Sequence, residues 1–201
     1  MRVGRILLTA LVVCRLAAVA GAQEPPVDFR LVVLGHFDAE TLAAFTARAH
    51  EYAALRSRLE VGLPPLKVTL DADEIERFER RLTSRIRDAR GSRRYQVFVP
   101  AMEGQIKKLL AQQAGPGTIA AIADDGPGEF DVDVNDTYAK DLPLSTMPVN
   151  ILLLLPELPP DMEYRFVGRH LILRDVRANM IIDEISHVLR CQECVKPPDD
   201  H

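Results

Sequence analysis

The residues best suited to chemistry lie near the carboxyl end. Cys191 and Cys194 form a C-x-x-C pair, and with His187 and His201 the tail reads H-x3-C-x2-C-x6-H. Thiolate and imidazole are donors that a tetrahedral zinc ion takes, and imidazole also suits nickel. His187, Cys191, Cys194 and His201 are therefore the candidate metal ligands, with zinc or nickel as the ion. A secure zinc ribbon has two separated pairs, whereas here every donor falls within residues 187–201. A thioredoxin-like role needs thiols at the start of a helix that follows a strand, and this pair instead leads into Pro197 and Pro198. The competing reading is a local Cys191–Cys194 disulfide formed after export.

Other constellations are less complete. Asp131, Asp133 and Asn135 match the first three ligands of an EF-hand loop, but Asp136 stands where the sharp turn needs Gly and Leu142 where the bidentate Glu belongs. The acidic stretch from Asp124 to Asp136 reads instead as an exposed strand, with Val132 and Val134 alternating with outward acids. None of Ser57, Ser84, Ser92, Ser145 or Ser186 lies in a G-x-S-x-G elbow. His36, His50 and His170 have no motif partner in sequence, so a catalytic group would have to be assembled in three dimensions. Gly115, Gly117, Gly126 and Gly128 are interrupted by Pro and acids, with no G-K-[ST] after them, and read as turn residues.

The elements that would position such groups are legible from periodicity. Leu42, Phe45, Ala49, Tyr52, Leu55 and Leu59 recur every three or four residues behind Asp38, a natural N-cap, and Gly62, Pro64 and Pro65 end that helix. A second helix starts at Asp71, with Glu74 completing an acidic capping box, and buries Ile75, Phe78, Leu82 and Ile86 before Gly91 stops it. Its acids come first and Arg85, Arg87, Arg90, Arg93 and Arg94 come last, which complements the helix dipole. Mixed charge of this kind reads as a solvated face. A third helix opens on Pro100, carries Met102, Ile106, Leu109 and Leu110 inward, and is closed by Gly115, Pro116 and Gly117.

Between residues 163 and 185 the pattern changes to strands. Gly168 and Arg169 form a two-residue turn, and a type II′ geometry fixes the register: Val167 opposite His170, Phe166 opposite Leu171, Arg165 opposite Ile172, Tyr164 opposite Leu173, Glu163 opposite Arg174. Tyr164, Phe166, Leu171 and Leu173 then share a face. Asp175 to Asn179 reads as a second turn with Asn179 left-handed, and Met180 to Ile185 as a third strand. Helical periodicity competes over residues 176–190, and the adjacent β-branched Ile181 and Ile182 favour the strand. Ile151 to Leu155 is an apolar run ended by Pro156, too short for a bilayer and expected in the core.

The string from Glu163 to Ile185, EYRFVGRHLILRDVRANMIIDEI, resembles the β-meander of small exported bacterial proteins, including the RcnB-like periplasmic group tied to nickel and cobalt homeostasis. The wider stretch from Leu142 resembles signal-bearing bacterial proteins with no established activity. The resemblance implies a meander in an exported protein, and metal handling follows from it only by analogy of fold.

The chain opens with Arg2 and Arg5, an apolar run from Ile6, and a small-x-small exit at Ala20 and Ala22, the three parts of a secretory signal. Arg15 interrupts the run and argues against retention as a membrane span. Cleavage after Ala22 would remove three arginines and no acid, taking the net charge from −4 to −7. An acidic mature chain disfavours general nucleic-acid binding. The expectation is an α+β protein: a signal peptide (1–22), an extended lead-in (23–37), a helical region (38–114) packed beside a Pro/Asp-rich segment and small antiparallel β-meander (115–190), and a tail (191–201). Its expected role is non-enzymatic, periplasmic or secreted, binding a protein or envelope partner. A metal-handling protein and an enzyme with a site built only in three dimensions are the alternatives.

Overall fold

The computed structural model describes residues 33, 35–65, 71–91, 97–128 and 130–189. The fold is α+β, with helices α1 (Ala39–Glu60), α2 (Ala72–Arg90), α3 (Pro100–Gln113), α4 (Pro116–Asp125) and the single turn α5 (Val149–Leu152) preceding β1 (Met162–Val167), β2 (His170–Asp175) and β3 (Met180–Ile185). The strands form an antiparallel meander in the order β1-β2-β3. No helix among the described residues is long and apolar enough to cross a membrane.

Local chemistry sets the helix borders. Asp38 accepts from Thr41 N at 2.8 Å, and Asp71 accepts from Asp73 N and Glu74 N, so orphan amides at both N-termini are satisfied. Gly91, at φ +62°, ends α2 with its N–H on Arg87 O. Pro100 occupies the first turn of α3, where its missing N–H costs nothing. The same logic operates at Pro116, which opens α4. Gly115 to Gly117 therefore close one helix and start another, a correction to the reading of this stretch as the end of the helical region.

The β1–β2 register matches the sequence expectation pair for pair, from Glu163 opposite Arg174 to Val167 opposite His170. Gly168 takes φ +52° and Arg169 stays negative, as a type II′ turn requires. Asn179 is left-handed at φ +48°, and residues 180–185 are strand. Between β2 and β3 the register slips: Leu173 faces Asp183 but Arg174 faces Ile181, which leaves Ile182 as a bulge. The bulge explains the adjacent isoleucines, because Ile182 joins the main core and Ile181 a second cluster on the opposite face.

The main core lies between the helices and one sheet face, and joins Phe45, Tyr52, Leu82, Ile86, Ile106 and Phe166, all almost fully buried, to the rest. Phe98 stacks between Phe45 (5.8 Å between ring centres) and Tyr164 (6.5 Å), tying α1 to β1. On the other face, Val167, Ile172 and Ile181 are covered by Tyr138, Phe130, Val132 and Leu142. Residues 131–136 are not a strand. Val132 and Val134 are half-buried, Asn135 turns the chain at φ +78°, and the segment meets β3 through Asn135 N to Ile181 O, Ile181 N to Asp136 O and a bridge from Thr137 to Met180.

A polar hub sits inside the main core. Asp175, fully buried, accepts from Tyr52 Oη at 2.7 Å and from the amides of Arg177 and Ala178 at 2.9 and 3.0 Å, with Arg56 Nη1 3.6 Å away. Arg56 also reaches Pro160 O and Asp161. At the arginine-rich end of α2 the expected solvated face holds only in part: Arg87 is exposed and donates to Asn135 O, half-buried Arg85 donates to Leu59 O and Val61 O, and Arg90 is buried and donates to Ile182 O, while Arg93 and Arg94 lie outside the described residues. Tyr52→Phe is expected to lower the unfolding free energy by about 1–3 kcal/mol, the cost of an unmade buried hydrogen bond. Asp175→Ala, which also removes one of the two carboxylates that face Arg56, should cost about 3–5 kcal/mol. Urea denaturation of the chain from residue 23 measures both.

Candidate functional site

Of the four candidate metal ligands, His187 lies among the described residues, and Cys191, Cys194 and His201 lie outside them. His187 is exposed, left-handed at φ +54°, and stands two residues past the end of β3. Among the described residues no group of three His, Cys, Asp or Glu is arranged to hold a metal ion. His170, which has no motif partner in sequence, has partners in space: its Nδ1 is 2.9 Å from Glu184 Oε2, and its ring centre is 5.6 Å from that of His187. Strand pairing produces the first contact. Glu184 faces Ile172, and His170 stands two residues before Ile172 on the same face. The serines are structural where their bonds are seen, with Ser57 donating to Ala53 O and buried Ser145 to Phe166 O at 2.6 Å.

A second feature was not legible in sequence. Ile151 and Leu155 are buried as expected, but Leu152 and Leu153 between them are not. Leu144, Val149, Leu152 and Leu153 are 43, 67, 44 and 39 % exposed, and they make up four of the six large exposed hydrophobic residues among those described. An exposed aliphatic cluster in a short segment marks an interaction surface more often than a scatter of single residues does. The expectation that the whole run is buried failed because periodicity cannot show which side of a single helical turn faces the core.

That segment is held from beneath by a polar lattice on the second face of the sheet. Glu163 accepts from Arg165 at 2.6 Å and Arg174 at 2.7 Å. Arg174 also grips Asn179 Oδ1, Asn179 donates to Tyr138 O, and Tyr138 Oη donates to Pro143 O. Arg165 donates to Ser145 O at 2.8 Å. Burial alone would raise the Glu163 carboxyl, but hydrogen bonds from the two arginines overcome it and hold the group below its usual range. The lattice remains charged at neutral pH. At the rim of the segment, hydrogen bonds from Thr146 likewise lower the exposed Asp125 carboxyl.

Ionisable groups with disturbed acidity are the usual markers of a reactive site. Here the groups that burial raises most face the core. Burial raises Tyr52 and Tyr164 well above the ordinary phenol range, and their hydroxyls are committed to Asp175 and Pro156 O. Burial pushes Asp183 up to about 6, opposed by N–H donation from Phe98 at 2.8 Å and from Glu184 at 3.0 Å. Two open concavities of about 210 and 330 Å³ include Phe78 and Pro65 in their walls, with Arg77 and Arg81 beside one and Glu60 and Val61 beside the other, and include none of these groups.

Asp183 gives a signed prediction. Its folded-state value lies above the ordinary 3.8, so the native state holds the proton more tightly than the unfolded chain. Stability from this group is greatest below pH 4, declines as pH rises toward 6, and is level above. Relative to the parent, Asp183→Asn should gain on the order of 3 kcal/mol between pH 4 and 6.5, measured by denaturant titration at each pH. Compared with known protein families, with curated proteins and with solved structures, the chain finds no match.

Proposed function

We propose that this chain is an exported, non-enzymatic binding protein whose docking surface is the aliphatic segment 144–153. The observation that carries the reading is the exposure of Leu144, Val149, Leu152 and Leu153 together, on a segment fixed to the sheet by Ser145 and Tyr138. Water-facing aliphatic surface on an ordered segment is destabilising unless something covers it, at roughly 25 cal/mol per Å².

Charge selects the partner. From Asp141 to Glu157 the sequence contains no Lys, Arg or His, and an exposed acid stands at each end of that stretch. Asp125, whose carboxylate receives Thr146 N, adds a third acid at the edge. An anionic lipid surface would be repelled by this rim, and basic side chains that could reach the headgroups are absent from the segment. A second copy would oppose acid to acid. The surface fits a protein segment with an apolar stripe bordered by Lys or Arg, an amphipathic basic helix in groove-like docking. With residues 1–22 read as a secretory signal, the proposed setting of the encounter is the periplasm or the outside of the cell.

Amphipathic 18-residue helical peptides with one leucine stripe, edged by either Lys or Glu, test the reading by fluorescence anisotropy. The Lys-edged series should bind the chain from residue 23, weaken with added salt, and lose at least ten-fold in affinity to a Val149→Ser/Leu152→Ser/Leu153→Ser variant. Equal binding of both series, indifference to the triple substitution, or stronger binding to phosphatidylglycerol vesicles would overturn it. Protein recovered from the periplasm of an expressing bacterium should begin at Gln23 by mass spectrometry. Retention of Met1 on protein from the cell interior would remove the exported setting.

A further inference from the structure

We propose that the seam between the end of α1 and the first half of α2 binds an extended acidic peptide, with a Glu or Asp carboxylate held between Arg77 and Arg81 and a neighbouring aliphatic side chain laid against Pro64, Pro65 and Val61. The inference is independent of segment 144–153, a different surface that is bordered by acids.

Backbone chemistry shapes the seam. Helix α1 ends at Glu60, and Gly62 at φ +81° turns the chain, with Leu63 N donating to Glu60 O at 3.0 Å. The turn brings Pro65 to the Phe78 side of α2, and these two residues are shared by the walls of two open concavities of about 210 and 330 Å³. A shared wall makes them one run of surface. Two successive prolines are stiff and bring no backbone donor, so this wall is largely apolar and is set before anything binds. Val61, in the wall of the larger concavity, is 77 % exposed, the highest value among the large hydrophobic residues described.

The smaller concavity is cationic. Arg77 and Arg81 both belong to its wall, are exposed, and stand one turn apart on α2, which sets their Cβ atoms about 5–6 Å apart. The other arginines of α2 are committed: Arg80 to Glu76, Arg85 to Leu59 O and Val61 O, Arg87 to Asp136 and Arg90 to Ile182 O. Among the described residues, Arg77 and Arg81 are the arginines of that helix left without a hydrogen-bond or ion-pair partner. Glu74 is the carboxylate in the same wall, while Glu60 of the larger concavity is already paired with Arg177, whose guanidinium lies over the Phe78 ring. Two guanidiniums against one carboxylate leave the smaller concavity net positive in a chain whose net charge is −4.

Two forked donors one turn apart suit a planar carboxylate. Exposed ion pairs contribute little by themselves, so a stable occupant must use the apolar wall as well. An inorganic anion would engage the arginines and leave Val61 and the prolines uncovered. An extended peptide with Glu and Leu two residues apart presents both on one face, about 7 Å from each other, and so reaches both concavities across their shared wall. Charge complementarity then sets which peptide is taken.

Fluorescence anisotropy of a labelled nine-residue peptide, Ser-Glu-Ser-Leu-Ser-Glu-Ser-Leu-Ser, against the chain from residue 23 is the test. The peptide should bind, and added salt should weaken it. Affinity should fall about ten-fold or more when Gln replaces its Glu or when the protein carries Arg77→Glu/Arg81→Glu, and about three-fold with Val61→Ser. The Val149→Ser/Leu152→Ser/Leu153→Ser variant should bind it as the parent does, which separates this site from segment 144–153. The charge-reversed protein should prefer the Lys version of the peptide, a recovery that an unfolded variant would not show. The proposal is overturned if Glu and Gln peptides bind alike, if the double substitution leaves binding unchanged, or if inorganic phosphate displaces the peptide at equal concentration. Sedimentation of the chain alone as a dimer that Arg77→Glu/Arg81→Glu dissociates would make a second copy the occupant and would overturn it too.

Discussion

Burying one carboxylate at the far end of a hairpin forces much of this fold into place. Asp175 closes β2, and without water it needs donors on every side. Tyr52 from α1 supplies one, and the amides of Arg177 and Ala178 supply two more by curling the chain into the β2–β3 turn. A buried ion of this kind is tolerated only when fully hydrogen-bonded, so the same contacts that satisfy it also dock the turn between α1 and α2. Thr83 seals that docking by donating to Ala178 O at 2.6 Å, and Arg177 does so by pairing with Glu60 while lying over the Phe78 ring. The helices and the sheet are thereby joined through polar groups as well as through the apolar core.

With one end of the meander locked among helices, the opposite end is the open one. A meander places the β1–β2 turn and the exit of β3 together, away from the β2–β3 turn, and this is where His170, Glu184 and His187 gather. The bulge at Ile182 divides the labour between the two faces. Toward the helices it sends Ile182 and Asp183, and toward the second cluster Ile181. The second face is then polar enough to hold the 138–145 segment by hydrogen bonds, which carries the aliphatic cluster beyond it on a firm base.

Arginine does much of the internal joining. Arg56, Arg85, Arg87, Arg90 and Arg165 each donate to a backbone carbonyl distant in sequence. A planar fork with several donors can satisfy carbonyls left over at loop and strand ends, which an ammonium point charge does less well. The consequence for surface chemistry is that much of the positive charge is spent inside or along seams. The acidic rim around residues 141–157 therefore faces solvent without neighbouring cations in its own stretch.

Local chemistry made several elements readable from the sequence alone. Caps at Asp38 and Asp71, the stop at Gly91 and Pro100 at a helix start act within one turn, and the Gly168–Arg169 turn fixes every β1–β2 pair because strand periodicity leaves no freedom once the turn type is set. Tertiary structure decided whatever depends on a distant partner: burial of Arg56 and Arg90, the bulge that splits Ile181 from Ile182, exposure of Leu152 and Leu153, and the meeting of His170 with Glu184 and His187. Composition cannot report these, since a side chain's environment is set by which surface reaches it across the fold. A histidine without a sequence motif acquires a partner only when pairing of two strands brings their shared face together.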